Sequence, residues 1–287
     1  MQAELRATAV GPVALLASFA AGAAAPLVHF AHATGMCAAL YRSIYDRIVP
    51  YANIVASDAR GHGATPLPAD PVAMTGWTTY VDDLAALLDT LPPSSAGARL
   101  ILAGHSMGAT VSMELAARLG ERVAGVVMIE PAFVPFAAAA AYDPAAWPNP
   151  MAAQAVRRRG VWPSRDAVRA AYRGRGVFTT WADADLDAYL AGGLRDRGDG
   201  QVELACTPAW EAATFAGVSN RLESALDGWR GPLTLLHGTE RSTVMAVDAA
   251  TIAARPDTTV RRFDGADHFL PLAEPQAIAD AILGLLR

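Results

Sequence analysis

A serine set between small residues, in the run Gly104-His105-Ser106-Met107-Gly108, is the part of the sequence that most directly suggests chemistry. The run matches G-x-S-x-G, a pattern in which a tight turn between a strand and a helix exposes the serine hydroxyl. The preceding ARLILAGH has the length of a buried strand, and the following ATVSMELAARLG has helical spacing. A serine in such a turn can act as a nucleophile, and the N-terminal end of the helix can stabilise an oxyanion.

The rest of the chain must position this serine, and its apolar runs indicate strands that alternate with helices. Besides the run before the serine, buried strands are predicted over residues 26–32, 52–57, 123–129, 232–237 and 258–263. Helices are predicted over residues 36–48, 75–91, 109–120, 247–254 and 275–286. This alternation predicts a mostly parallel sheet with right-handed crossovers and helices on both faces.

The interval 131–220 breaks this alternation. It contains no clear buried strand, and four of the six tryptophans lie in it: Trp147, Trp162, Trp181 and Trp210. We therefore expect a helical cap, inserted after the strand that ends at Glu130, with residues 1–130 and 221–287 forming the core. Since open α/β sheets bind ligands at the carboxyl ends of their strands, this cap should cover the site.

Composition limits the class of protein. The 287 residues are 53% hydrophobic and 18% charged, which is typical of a globular chain with a large core. The net charge of −5 is spread without long runs of one sign, so no nucleic-acid partner is expected. Cys37 and Cys206 are far apart and form no C-x-x-C pair, so neither a disulfide framework nor a zinc site is indicated. We predict neither a cofactor nor a metal.

The apolar stretch over residues 10–27 permits two interpretations. It could be a signal peptide, or it could form the first strands of the sheet with a turn at Gly11-Pro12. Glu4 lies where a signal peptide should be positively charged, and Pro12 would interrupt the apolar segment, so we favour the strands. No stretch is long enough to span a membrane. We therefore expect a cytoplasmic protein.

Five motifs, in this order along the chain, resemble the α/β-hydrolase superfamily: FAHATG, DARGHG, GHSMG, IEP and GADHFLPLAEP. The resemblance covers residues 28–287, with the cap as the variable insert, and it implies an α/β-hydrolase fold. It implies that Ser106 is the nucleophile and that His268 is the general base.

The resemblance also implies an oxyanion hole, formed by two backbone N–H groups. One would belong to Met107 and the other to the loop over residues 32–35. We assign the second to Thr34, with Gly35 as the alternative, because Ala33 stands where the family more commonly has glycine. The resemblance further implies that His32, His62 and His105 are structural hydrogen-bonding residues.

The triad acid departs from the commonest family pattern. Members commonly place an aspartate after the strand predicted here at 232–237, in a Gly-x-x-Asp pattern, but this chain has Gly238-Thr239-Glu240-Arg241. An arginine cannot orient a histidine, so Glu240 and Glu130 remain. Some members carry the acid at the place of Glu130. We favour Glu130, since a carboxylate that ends so apolar a strand needs a partner and His268 can supply it.

Together these features predict a serine hydrolase that cleaves a small-molecule carboxylic ester through an acyl-enzyme. Family members with an aspartate nucleophile, such as those like haloalkane dehalogenases and epoxide hydrolases, are excluded by Ser106. Hydrolysis of a lactone, thioester or C–C bond, or perhydrolysis, remains as an alternative on the same machinery. A non-catalytic, ligand-binding member is the alternative outside enzymes. The natural substrate, its acyl-chain length and the oligomeric state are left open.

Overall fold

The computed structural model describes residues 1–22, 24–91, 99–144, 146–147 and 149–286. The strands in these ranges are β1 Gln2–Thr8, β2 Gly11–Ser18, β3 Leu27–Ala31, β4 Asn53–Ser57, β5 Leu100–His105, β6 Gly125–Ile129, β7 Val161–Trp162, β8 Leu194–Asp196, β9 Val202–Leu204, β10 Leu233–Gly238 and β11 Thr258–Phe263. The α-helices are α1 Arg42–Ile48, α2 Thr78–Leu88, α3 Met107–Leu119, α4 Phe136–Ala139, α5 Pro150–Ala155, α6 Arg165–Tyr172, α7 Asp183–Gly193, α8 Pro208–Ala216, α9 Leu222–Gly228, α10 Ala246–Ala253, α11 Leu270–Ala273 and α12 Pro275–Gly284.

The main sheet of the described part has eight strands in the order β1-β2-β4-β3-β5-β6-β10-β11. Strand β2 is antiparallel to β1 and to β4, and the pairings from β4 through to β11 are parallel. Helices α2, α3, α9 and α10 contribute to one apolar cluster, and α1 and α12 contribute to the other. The predicted α/β-hydrolase fold, a mostly parallel sheet with helices on both faces, is confirmed.

The central strands are buried throughout because helices cover both faces of the sheet. Every residue of β4, β5, β6 and β10 is buried, which gives the continuous apolar runs that predicted these strands. The stretch over residues 10–27 forms β2 and leads into β3, and residue 23 lies outside the described residues. None of the helices in the described ranges is both long and apolar enough to cross a membrane.

The interval 131–220 contains three short strands as well as the predicted helices, so the described part of the cap is not purely helical. Strands β7, β9 and β8 form a small antiparallel sheet beside helices α4 to α8. These strands are two or three residues long, too short to show an alternating pattern in the sequence. The N–H of Val134 donates to the carbonyl oxygen of Ser219 at 2.8 Å, so the interval leaves and rejoins the core at one point. This contact supports the proposed division into core and cap.

The strand order reverses at β3, since β4 lies on one side of it and β5 on the other. The loops that leave the carboxyl ends of β3 and β5 therefore flank the place where open α/β sheets bind ligands. The loop after β3 carries Thr34, and the turn after β5 carries Ser106. The neighbouring ends of β6 and β10 extend the same edge of the sheet toward Glu130.

Candidate active site

Ser106 lies in the turn between β5 and α3 with φ +56° and ψ −119°. This left-handed backbone costs a non-glycine residue on the order of 1–3 kcal/mol, and it persists only where the surroundings enforce it. Two glycines permit the close packing that does so. A Cβ atom on Gly104 would lie 2.4 Å from the carbonyl carbon of Gly108, and one on Gly108 would lie 2.3 Å from the carbonyl oxygen of Ala31. Helix α3 can therefore begin directly beside the loop after β3.

Two backbone N–H groups at this junction donate no hydrogen bond within the described residues. Met107 is the first residue of α3, where an N–H has no partner inside the helix. Thr34 is buried, and within the described ranges its N–H donates no hydrogen bond. Gly35, the alternative donor, gives its N–H to Nε2 of His62 at 3.0 Å. The geometry therefore supports Thr34 over Gly35.

The carboxylate of Glu130 is fully buried and contacts His268. Its Oε2 atom lies 3.3 Å from Nδ1 of His268. The N–H of Gly238 donates to Oε1 at 2.5 Å, and the N–H of Thr243 donates to Oε2 at 3.0 Å. The hydroxyl of Ser242 lies 2.9 Å from both carboxylate oxygens. The carboxylate is thus held from several directions with one oxygen on the histidine.

These contacts also keep Glu130 ionised. Burial raises the pKa of Glu130, but the hydrogen bond and charge of His268 and the N–H groups of Gly238 and Thr243 outweigh burial and lower the pKa from 4.5 to about 2. At neutral pH a charged carboxylate therefore faces Nδ1 of His268. This arrangement places the proton of His268 on Nδ1 when the ring is neutral and leaves Nε2 free to act as a base.

The loop after β10 supplies hydrogen-bond donors to the carboxylate of Glu130. Glu240 is exposed, and Arg241 pairs with Asp267 at 2.8 Å. Sequence reasoning missed Ser242 and Thr243, whose hydroxyls contact Glu130 across a long sequence separation. The signal that could have found them is a pair of hydroxyl residues directly after the position where the acid is usually found.

The three family histidines outside the proposed triad are buried and hydrogen-bonded. Nε2 of His32 accepts the N–H of Ala59 at 2.9 Å, and His62 holds Gly35 as described. Burial lowers the pKa of His62 and of His105 to about 3. The rings of His62 and His105 are therefore neutral at physiological pH, and a structural role for these histidines stays a prediction.

Of the four cap tryptophans, Trp181 is the one that contacts the loop of His268 in the described structure. Its ring lies 5.0 Å from that of Phe269, which in turn lies 5.7 Å from the ring of His268. Trp210 instead anchors α8 to the core by donating its indole N–H to the carbonyl oxygen of Arg60 at 3.0 Å. Trp181 therefore brings the cap against the loop that carries His268.

The cysteines offer no competing nucleophile. Cys37 and Cys206 are free and buried, and burial raises the pKa of both thiols, which keeps them protonated. Across the described ranges, no group of three or more His, Cys, Asp or Glu side chains is arranged to hold a metal ion. A cavity of about 40 Å³ beside the start of α3 is lined by Met107 and Gly108 but by neither Ser106 nor His268.

Comparisons with known proteins show the family to which the chain belongs. Residues 23–276 match the sequence model of the Hydrolase_4 family, described as serine aminopeptidase, S33. The 2-(acetamidomethylene)succinate hydrolase of Mesorhizobium japonicum is 28% identical over 264 residues, which cover 91% of this chain and 88% of that protein. The pimeloyl-[acyl-carrier protein] methyl ester esterase of Aromatoleum aromaticum is 30% identical over 245 residues, which cover 79% of this chain and 84% of that protein.

A solved structure extends the similarity to the whole fold. The crystal structure of E-2-(acetamidomethylene)succinate hydrolase matches with a TM-score of 0.79 and 24% identity, and the match covers 99% of both chains. The family match spans most of the sequence, and both relatives described above are hydrolases by name. The chain therefore belongs to the Hydrolase_4 (serine aminopeptidase, S33) family of α/β hydrolases and is a hydrolase.

Proposed function

We propose that this hydrolase cleaves a carboxylic ester through an acyl-enzyme, with Ser106, His268 and Glu130 as its catalytic triad. The observation that carries the proposal is the buried carboxylate of Glu130, which lies 3.3 Å from Nδ1 of His268. The backbone of Ser106 is hydrogen-bonded to Ile129 and Ala132, on either side of Glu130. A carboxylate in this relation to a histidine fixes its tautomer and stabilises its cation.

The reaction follows from these positions. Nε2 of His268 takes the proton of Ser106 as the serine oxygen bonds to the carbonyl carbon, and the N–H groups of Met107 and Thr34 stabilise the oxyanion. The intermediate collapses, the C–O bond to the alcohol breaks, and His268 gives the proton to the leaving alcohol. Water then attacks the acyl-enzyme with His268 again as base, which releases the acid and returns the proton to Ser106.

A small amide is the second candidate substrate, and the similarity to a named relative favours it. The relative that is 28% identical over 91% of this chain acts, by its name, on a compound with an acetamido group, whereas the esterase relative acts on a methyl ester. The same three residues can transfer either acyl group to water. An assay should therefore offer p-nitrophenyl esters of increasing acyl length together with matched anilides.

Covalent labelling by a fluorophosphonate, followed by the ester series, tests the proposal. Ser106→Ala should abolish labelling and lower kcat by about 10⁴-fold or more, since triad members act as a unit. Ser112→Ala is the matched control, because Ser112 lies buried in α3, the helix that follows Ser106, and its hydroxyl donates to the carbonyl oxygen of Ala103 at 3.3 Å. The control should keep both labelling and turnover. Labelling of Ser106→Ala, or turnover close to that of the wild type, would refute the proposal.

A further inference from the structure

One buried chain of hydrogen bonds joins the three loops of the proposed site. It begins in the loop after β3, where the N–H of Ala33 donates to the hydroxyl oxygen of Tyr41 at 3.2 Å. That hydroxyl lies 2.9 Å from Nδ1 of His105, the residue before the proposed nucleophile. Nε2 of His105 lies 2.7 Å from the carbonyl oxygen of His268. The chain thus runs from the loop over residues 32–35 (the oxyanion loop), through the turn of Ser106 (the elbow), to the loop that carries His268 (the base loop).

The donors and acceptors of this chain match in one direction only. The N–H of Ala33 can only donate, and the carbonyl oxygen of His268 can only accept. Tyr41 therefore donates its O–H to Nδ1 of His105, and His105 carries its proton on Nε2. Burial and the neighbouring His268 hold the pKa of His105 at about 3, so this ring stays neutral when His268 becomes charged during the reaction.

Both side chains are sealed from solvent, so water cannot replace either contact. Tyr41 and His105 are fully buried. The ring of Tyr41 packs 4.9 Å from that of Phe30 in β3, and the ring of His105 lies 4.8 Å from that of His268. The two residues therefore connect elements that are distant in sequence and that each carry one part of the proposed chemistry.

This inference rests on the proposed function. We propose that Tyr41 and His105 are positioning residues that fix the relative placement of the oxyanion loop, the elbow and the base loop. Neither side chain needs to touch the substrate. An error of about 1 Å in the placement of reacting groups can cost on the order of 100-fold in rate. Because such an error acts on the transition state more than on substrate binding, its effect should fall on kcat and leave KM nearly unchanged.

Tyr41→Phe removes the central hydroxyl, and the chain contains a matched control. Tyr45 is also fully buried and also packs on Phe30, at 5.5 Å, but its hydroxyl has no hydrogen-bond partner in the described structure. The probes are a fluorophosphonate, for the rate of labelling per folded protein, and p-nitrophenyl acetate, for kcat and KM. Tyr41→Phe should lower the labelling rate and kcat by about 10- to 100-fold with KM within about threefold, whereas Tyr45→Phe should leave all three within about twofold.

A second pair of variants separates positioning from simple packing. The amide of Gln can donate to the carbonyl oxygen of His268, so His105→Gln should retain about tenfold more activity than His105→Leu, which cannot donate. Adding Tyr41→Phe to His105→Leu should cost less than about threefold further, because the chain is already broken.

Two kinds of result would overturn the inference. If the wild type is labelled but Tyr41→Phe behaves like Tyr45→Phe, the positioning role is refuted and the proposed function stays intact. The same holds if the losses at Tyr41 and His105 are fully additive. A wild type that the fluorophosphonate does not label would refute the proposed function and this inference together.

Discussion

Replacing Glu130 with Gln tests the assignment of the triad acid, and the structure shows how severe the change is. The substitution keeps the shape of the side chain and removes its charge. Oε1 accepts the N–H of Gly238 and Oε2 accepts the N–H of Thr243, so an amide NH₂ in either place would face a backbone donor. One such conflict costs about 1–3 kcal/mol of folding stability.

The expected loss of activity can be worked from the pKa of Glu130. Its fall from 4.5 to about 2 corresponds to about 3 kcal/mol of interaction between the carboxylate and its surroundings, at about 1.36 kcal/mol for each pKa unit. Part of that energy belongs to His268 and is lost when the charge is removed. A triad acid also sets the tautomer of its histidine, and losing that control as well brings the expected fall in activity at neutral pH to about 10²- to 10⁴-fold, or about 3–5 kcal/mol in activation free energy.

The measurement is kcat/KM on a p-nitrophenyl ester, per active site, with thermal unfolding of each variant recorded alongside. Glu240→Gln is the control, since it removes one charge from an exposed side chain and should cost less than about tenfold. A large loss at Glu240 with little loss at Glu130 would reverse the assignment. Small losses at both would mean that His268 works without a carboxylate partner.

Three further predictions concern the surroundings of the triad. Because the pKa of Glu130 is depressed, its contribution to stability is present above pH 4.5 and is lost as pH falls through about 2. Thr243→Val removes one hydroxyl donor to Glu130, so it should raise that pKa and reduce the difference in unfolding free energy between neutral pH and pH 2. Trp181→Ala should change the ratio of rates on long and short esters more than Ala at any of the other three cap tryptophans, and equal ratios in all four would mean that the cap does not select the acyl chain. Gly108→Ala should lower the melting temperature sharply because its Cβ would meet the carbonyl oxygen of Ala31, whereas Gly284→Ala, with open space around it, should stabilise α12 by about 0.5–1 kcal/mol.

The parts of the fold that the sequence predicted are those with a strong local signal. Strands such as β5 and β10 are buried at every residue, so their apolar runs are continuous and stand out from the loops. Strand β1 was missed because its QAELRAT sequence is mostly exposed at the sheet edge, where β2 is its partner in the described sheet. Pairing with β2 makes this segment a strand, and such a tertiary effect leaves no pattern in seven residues.

The proposed site likewise has parts that a local sequence pattern indicates and parts that depend on tertiary contacts. The residue types around Ser106 are dictated by its own turn, since Gly104 and Gly108 are needed for close packing within a few residues of the serine. The contacts of Ser242 and Thr243 with Glu130 depend on how two strands lie beside each other. The pair of hydroxyl residues after the usual acid position hints at these contacts but does not say which carboxylate they bind, and no local pattern indicates the Tyr41–His105 chain.

The register of β6 and β10 explains how an acid on one strand can replace an acid on the next. Ile129 pairs with Leu236 across these adjacent parallel strands, and the N–H of Glu130 donates to the carbonyl oxygen of Leu236 at 2.9 Å. The two strands therefore end side by side. Glu130 adopts φ +47° directly after β6, and its carboxylate accepts hydrogen bonds from Gly238 and the residues beyond it. If Glu130 is the triad acid, the loop after β10 does not carry the catalytic carboxylate, as it commonly does in the family, but binds it. His268 can then keep its usual place after β11.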